Sequence, residues 1–333
     1  MTKTDFKKRY LDWMRAKLPN MDGLAFAVDC SNGMASLLVR DLFPEAVVIN
    51  DTLDGTFPNH SPNPLKAEAR EQVAACVRDK MLDCGVIFDG DADRAMFVDE
   101  NGAFVQPDYL IPVVAEATRR AGAPAARDRK THTVVAQVPA EKGESPAEQD
   151  KRPIVLHDVR TSRGAIETLR EKGFTPVMVP VGHAFAKPKM RELNALCGGE
   201  LAGHYYFGEF FGCDSGVLAA LRILGEVAAA KARGETFSAL MRPIVSRYAN
   251  SGERNFKVED KDAAIARVLA AARAFGAETG RSEIDGVRLE FADGWISVRK
   301  SNTEPYLRLL VEADASSKCA AWVRTLERAI ENG

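Results

Sequence analysis

Apolar residues at Phe6, Tyr10, Trp13, Met14 and Leu18 recur at helical spacing and predict an amphipathic entry helix. After it the chain alternates between two rhythms. Short continuous apolar runs read as buried strands: 24–28, 46–50 and 85–88, then, further on, 154–156 and 175–181. Between them lie stretches with apolar residues three or four apart, such as 65–80 with Leu65, Ala69, Val73, Cys76 and Val77 on one side. Asp108 is placed to cap a helix over 109–120, and Asp214 to cap a long helix ending near Arg233 and Gly234. From 122 to 152 the pattern dissolves into Ala, Pro, Glu, Lys and Arg, apart from the strand-like 133–138, and reads as an inserted excursion. The last hundred residues differ. A strand near Phe256 leads to an Ala-rich helix over 263–275, then 287–291, 294–298 and 306–311 read as successive antiparallel strands before a closing helix over 317–330.

Strand–helix alternation followed by an antiparallel run predicts two mixed-sheet α/β domains, then an α+β domain with an antiparallel sheet. The expected limits are 1–105, 106–240 with its insertion at about 122–152, and 250–333. A chain of 333 residues is too long for one core, and its 46% hydrophobic content is enough for several. No internal repeat stands out.

Charge narrows the partners. Lys plus Arg number 45 against 47 for Asp plus Glu, so no overall field favours nucleic acid or an anionic membrane. The six cysteines form no C-x-x-C pair and read as buried free thiols. No basic-then-apolar leader and no apolar run of membrane-spanning length is present, so the expected setting is cytoplasmic.

Chemistry concentrates in four segments. Asp89-Gly90-Asp91-Ala92-Asp93-Arg94 follows a buried strand directly, and its alternate carboxylates can turn toward one point. Hard divalent cations take such oxygen ligands, and a guanidinium at the rim suits phosphate. A solvated turn is the plain alternative, but an acidic triplet abutting a buried strand end favours a ligand. The stretch 299–308 packs Arg299, Lys300, Ser301, Asn302, Thr303 and Arg308 between two strands, many donors with few acceptors, which favours an anion over an ordinary turn. Gly198-Gly199-Glu200-Leu201-Ala202-Gly203-His204 and Gly182-His183 carry weaker signals. Glu200 can accept two adjacent sugar hydroxyls, yet a structural glutamate in a turn explains the pattern equally well, and His183 and His204 read equally as satisfied polar residues.

Taken in order, the segments at 89–94, 199–204 and 299–308 resemble the α-D-phosphohexomutase family, in particular its bacterial phosphomannomutase/phosphoglucomutase branch. Pro180 to Met190 is similar to the family loop that reads sugar ring orientation, and 54–64 looks like a stretch of its second domain. The resemblance covers nearly the whole chain outside 122–152. It implies reversible, Mg²⁺-dependent phosphoryl transfer between a phosphoserine and a hexose monophosphate of mannose or glucose, through the bisphosphate. Asp89, Asp91 and Asp93 would ligate Mg²⁺ with Arg94 beside them. Gly182, His183, Glu200 and His204 would line the sugar site, and Arg299, Ser301, Asn302, Thr303 and Arg308 would grip the phosphate that does not react.

Two departures qualify this. Ala202 stands where the family loop carries serine, which removes a hydrogen bond to the sugar. The family also begins with a domain of roughly 150 residues bearing the nucleophilic serine, whereas this chain opens where the second domain would. Ser61, in His60-Ser61-Pro62, echoes the nucleophile loop only superficially. No nucleophile is identified, so the isolated chain is expected to be inactive, with the first domain supplied in cis or in trans. The alternatives are a non-catalytic sugar-phosphate-binding protein and a magnesium phosphatase. The Asp-x-Asp-x-Thr pattern expected of the phosphatase is missing.

Overall fold

The computed structural model describes residues 5–123, 152–301 and 305–331. The strand-like stretch 133–138, Asn302 and Thr303 lie outside them. An entry helix, α1 (Phe6–Arg15), precedes a five-stranded sheet. In that sheet β1 (Phe26–Asp29) lies parallel to both β2 (Val47–Ile49) and β3 (Cys84–Phe88). Then β4 (Ala95–Asp99) returns antiparallel to β3, and β5 (Phe104–Val105) antiparallel to β4. The parallel strands are covered on both sides, so β1 and β3 are buried along their whole length and read as unbroken apolar runs.

A second sheet repeats this plan. Here β6 (Ile154–Asp158) lies parallel to β7 (Thr175–Val179) and β8 (Cys197–Gly199). The antiparallel strands β9 (Tyr205–Phe207) and β10 (Cys213–Asp214) follow. Order and direction match strand for strand: β2-β1-β3-β4-β5 against β7-β6-β8-β9-β10. The repeat that the sequence does not reveal is therefore present in the topology. It places the acidic loop (between β3 and β4) and the Glu200 loop (between β8 and β9) at equivalent positions. One continuous apolar core joins the two units, running from Phe26, Phe88 and Phe97 through Val217 and Leu221 to Tyr205 and Phe207.

The C-terminal unit is an antiparallel sheet in the order β11-β16-β15-β14-β13, with β13 (Gly280–Ser282), β14 (Val287–Phe291), β15 (Gly294–Lys300) and β16 (Leu307–Ala313). The edge partner of β16 comes in two pieces, β11 (Ala249–Asn250) and β12 (Arg254–Phe256). Asn250 faces Glu312 and Arg254 faces Leu309, so four steps on one strand meet three on the other. The extra residue makes a bulge at 251–253, and Glu253 sits on it. This unit has its own core, built on Leu289, Val298, Leu309 and Trp322.

Three local expectations differ in the structure, two of them because of tertiary contacts. Asp108 does not cap its own helix. It is fully buried in a 3-10 turn and accepts the Ser162 N–H at the entrance of the helix Arg163–Glu171. The long helix Gly216–Ala232 is capped by Ser215, not Asp214, whose carboxylate is drawn away by His204 and Lys187. The helix expected from Leu65 begins at Ala67, leaving Leu65 exposed. All six cysteines are free, and among the described residues no helix is long and apolar enough to cross a membrane.

Candidate functional site

The acidic loop leaves β3 at its C-terminal end, and Asp89, Asp91 and Asp93 bring carboxylate oxygens within 4.8 Å of one another. Its path is fixed from three sides. The Met34 N–H donates to the Gly90 carbonyl, and a methyl group on Gly33 would lie 2.4 Å from that oxygen, so only glycine lets the two loops touch. Phe57 and Pro62, in the 54–64 stretch, pack over Gly90. Gly216, at the start of its helix, abuts the backbone of Ala92 and Arg94.

Asp89 is buried and accepts both the Arg94 N–H at 3.1 Å and Arg94 Nε at 2.6 Å. Arg94 also reaches Asn63 Oδ1. Burial pushes the Asp93 carboxyl up to about 6, and burial with the neighbouring Asp89 raises Asp91. Such shifts mark carboxyls withdrawn from water beside one another. A hard cation among three oxygen ligands would balance their charge, and the donor set suits Mg²⁺. Asp93, His204 and Asp214 form a second close group, but it is already internally paired. His204 Nδ1 donates to Asp214 at 3.0 Å and Lys187 holds the other Asp214 oxygen at 2.8 Å. These bonds outweigh burial and hold Asp214 down at about 2.

The Glu200 loop meets the acidic loop directly. Arg94 and His204 form an antiparallel bridge, Ala95 N–H donates to Gly203, and His204 Nδ1 lies 3.7 Å from Asp93. Glu200 is buried. Its Oε1 accepts Tyr206 Oη–H at 2.5 Å, and its Oε2 stands 3.9 Å from Arg160. Burial, with Asp158 close by, raises its carboxyl. His183 is the first residue of the helix His183–Glu192, exposed, with its ring edge-on to that of His204 at 6.0 Å. Gly182 before it takes φ +118°, a conformation side chains avoid, and the neighbouring Val181 N–H is held by Asp285 of the C-terminal unit.

Arg299 and Arg308 prove to be strand residues, directly opposite each other on β15 and β16, with the Ser301 N–H closing their hairpin onto Tyr306. Glu253 accepts from Arg308 at 2.6 Å and from Arg299 at 3.3 Å. It also accepts from Arg160 at 3.4 Å, and Arg160 is clasped in turn by Asp158 at 2.6 Å. Asp158 additionally holds the Leu201 N–H, and Leu201 packs on Trp295 and Leu310 of the last unit. The sugar-loop and phosphate-loop candidates are thus one connected network.

Sequence reasoning does not name Asp158, Arg160, Lys187, Asp214 or Glu253 as site residues: Asp214 reads there only as a helix cap and Lys187 only as part of the 180–190 stretch. One signal was available for Asp158. Like Asp29 and Asp89 it stands at the C-terminal end of a buried strand, where α/β sheets place ligand groups. The other four meet the site through tertiary contacts.

Family models match three consecutive blocks. These are phosphoglucomutase/phosphomannomutase alpha/beta/alpha domain II over residues 8–102, domain III over 107–248, and the C-terminal domain over 253–329. The phosphohexose mutases of Xanthomonas campestris pv. campestris are 35% identical over 314 residues, 93% of this chain and 62% of theirs. The Escherichia coli K12 phosphomannomutase is 32% identical, over 88% of this chain and 59% of its own. Among solved structures, a family protein from Burkholderia thailandensis superposes with a TM-score of 0.78 at 28% identity, covering 99% of this chain and 65% of that one. An Aspergillus fumigatus N-acetylphosphoglucosamine mutase, solved with GlcNAc-6P and magnesium, shares the fold at 15% identity (TM-score 0.65, 96% and 69% covered). The chain thus spans 62% of the length of the Xanthomonas relatives. With its sheets, its loops and its domain matches in the same order, the chain belongs to the phosphoglucomutase/phosphomannomutase family and carries that family's domains II, III and IV.

Proposed function

We propose that these three domains form the metal, sugar and phosphate walls of a phosphohexomutase site that transfers phosphoryl groups on hexose phosphates of mannose or glucose. The observation that carries this reading is the convergence of three separate loops: the acidic triplet meets the Glu200 loop at Arg94 and His204, and Glu200 connects through Arg160 to Arg299 and Arg308. Asp89, Asp91 and Asp93 hold Mg²⁺, which supplies charge neutralisation for phosphoryl transfer. Glu200 accepts sugar hydroxyls, with Gly182, His183 and His204 lining the ring. Arg299, Ser301 and Arg308 grip the phosphate that stays in place, together with Asn302 and Thr303 from outside the described residues.

Arg94 supports the reading from both ends, since it fixes Asp89 and stands beside the phosphoryl position. The phosphoryl donor is a serine outside these three domains, in the same or another polypeptide. Glucose 1-phosphate with a catalytic amount of glucose 1,6-bisphosphate tests it. Conversion to the 6-phosphate on adding a separately expressed first domain of the family, and loss of that conversion in Asp91→Asn, is expected. Binding of the sugar phosphate without conversion under those conditions would reassign the chain as a binding protein.

A further inference from the structure

We infer that Glu253 is an internal anion that holds the phosphate grip of the ligand-free chain and is displaced by the phosphate of an incoming sugar phosphate. This rests on the assignment of Arg299 and Arg308 to phosphate binding. Those two guanidiniums are direct cross-strand neighbours, and like charges at that position repel unless an anion sits with them. A third, Arg160, approaches from the preceding domain. Glu253 is the carboxylate that answers all three, at 2.6 Å from Arg308, 3.3 Å from Arg299 and 3.4 Å from Arg160.

The fold brings it there on purpose-built backbone. The bulge at 251–253 interrupts the edge strand, and without the extra residue the register would not present Glu253 to the arginines. Burial acts to raise the Glu253 carboxyl, but Arg160, Arg299 and Arg308 overcome it and hold the group ionised.

The grip is not saturated by this partner. Arg299 is only 3% exposed, yet its Nε–H has no acceptor among the described residues. A buried donor left unmade is unfavourable, and a ligand oxygen would satisfy it. A phosphate dianion on Arg299 and Arg308 would lie within a few ångströms of the Glu253 carboxylate, and the two anions compete for the same guanidinium protons. Asp158 remains to balance Arg160, clasping it at 2.6 Å, so Glu253 is the group that yields. Because Glu253 lies on the segment that joins the last two domains, its release also undoes one tie between them, Arg160 to Glu253.

The test is the sign of an affinity change. Calorimetry with inorganic phosphate and with glucose 6-phosphate should show Glu253→Gln binding both roughly tenfold more tightly than the natural chain, the scale for removing one nearby competing charge. A purely supporting role for Glu253 predicts the opposite, weaker binding. Glu253→Ala supplies a second arm. Acetate should enter the vacated position and weaken phosphate binding to that variant while leaving the natural chain unaffected. Equal or weaker phosphate binding by Glu253→Gln, in protein whose unfolding midpoint matches the natural chain, overturns the inference. So does an absence of any acetate effect on Glu253→Ala. If neither the natural chain nor the variants bind glucose 6-phosphate, the assignment of Arg299 and Arg308 itself falls, which is a distinct result.

Discussion

Gly33→Ala tests how rigidly the acidic loop must be held. The backbone of Gly33 has φ −97°, which alanine adopts freely, so the substitution adds no conformational strain of its own. Its effect is steric. The new methyl carbon would stand 2.4 Å from the Gly90 oxygen and 2.9 Å from that residue's carbonyl carbon and Cα, against ordinary contact beginning at 3.4 Å. The obstruction is backbone, not a flexible side-chain end, so one of the two loops must retreat by about 1 Å. Overpacking of this kind costs about 1–3 kcal/mol of stability. The displaced loop carries Asp89 and Asp91 on either side of Gly90, and metal sites tolerate ligand shifts of only about 0.2 Å. We therefore expect divalent-cation affinity to fall by about 10- to 100-fold, as it does when supports of metal ligands are removed. Calorimetry or the paramagnetic signal of Mn²⁺, titrated into the natural chain and the variant, reads this. Gly55→Ala is the control, because a methyl group there meets nothing within 4 Å. Unchanged Mn²⁺ affinity in Gly33→Ala would refute the claim that the Gly33–Gly90 contact positions the ligands.

Further outcomes follow from the same geometry. Arg308→Ala should weaken glucose 6-phosphate binding by about 1.5–3 kcal/mol, the scale of a lost charge-assisted hydrogen bond, in a calorimetric titration. His157 is fully buried, and that burial depresses its folded-state value to about 4. The unfolded chain takes up the proton first as pH falls below about 6.5, so stability present at neutral pH is lost between there and about 4, by up to about 3 kcal/mol. Urea unfolding across that range should show the slope, and His157→Gln should flatten it. For His60 the sign reverses: its hydrogen bond to Asp29 outweighs burial and raises its value, so its stabilising contribution declines as pH rises through that value. His60→Gln should remove this alkaline loss from the same unfolding series. Arg163 donates to Glu290 and to the carbonyls of Phe291, Ala292 and Gly294. Arg163→Ala should speed amide exchange along β14 and its turn as the last domain loosens.

The acidic loop was legible because everything it needs is local: three carboxylates, a glycine and the end of a buried strand within six residues. The two α/β units and the antiparallel domain were legible for a similar reason, since parallel strands covered on both faces must be apolar throughout. Glu253 was invisible because its meaning lies in a bulge register and in arginines 93, 46 and 55 residues away along the chain. Asp214 and Asp108 look like helix caps, because a carboxylate ahead of an apolar run usually is one. Here His204 with Lys187, and Ser162, compete for them and win. The repeated strand order is not legible in the sequence because topology depends on which strands pair, and the apolar runs alone do not state that. The two units do correspond at points: Asp29 and Asp158, each ending the middle one of three parallel strands, accept the N–H two residues later at 2.8 and 2.7 Å, and Cys84-Gly85 and Cys197-Gly198 pair at the same register of that strand.

If the site is as proposed, the three loops serve one ligand. A crystal of the chain grown with Mg²⁺ and glucose 1,6-bisphosphate tests it most directly. The expected result is a cation among Asp89, Asp91 and Asp93, a sugar ring against Glu200, and one phosphate on Arg299 and Arg308 with Glu253 turned away. A cation held instead by Asp93, His204 and Asp214, or a phosphate bound away from Arg299 and Arg308, would contradict it.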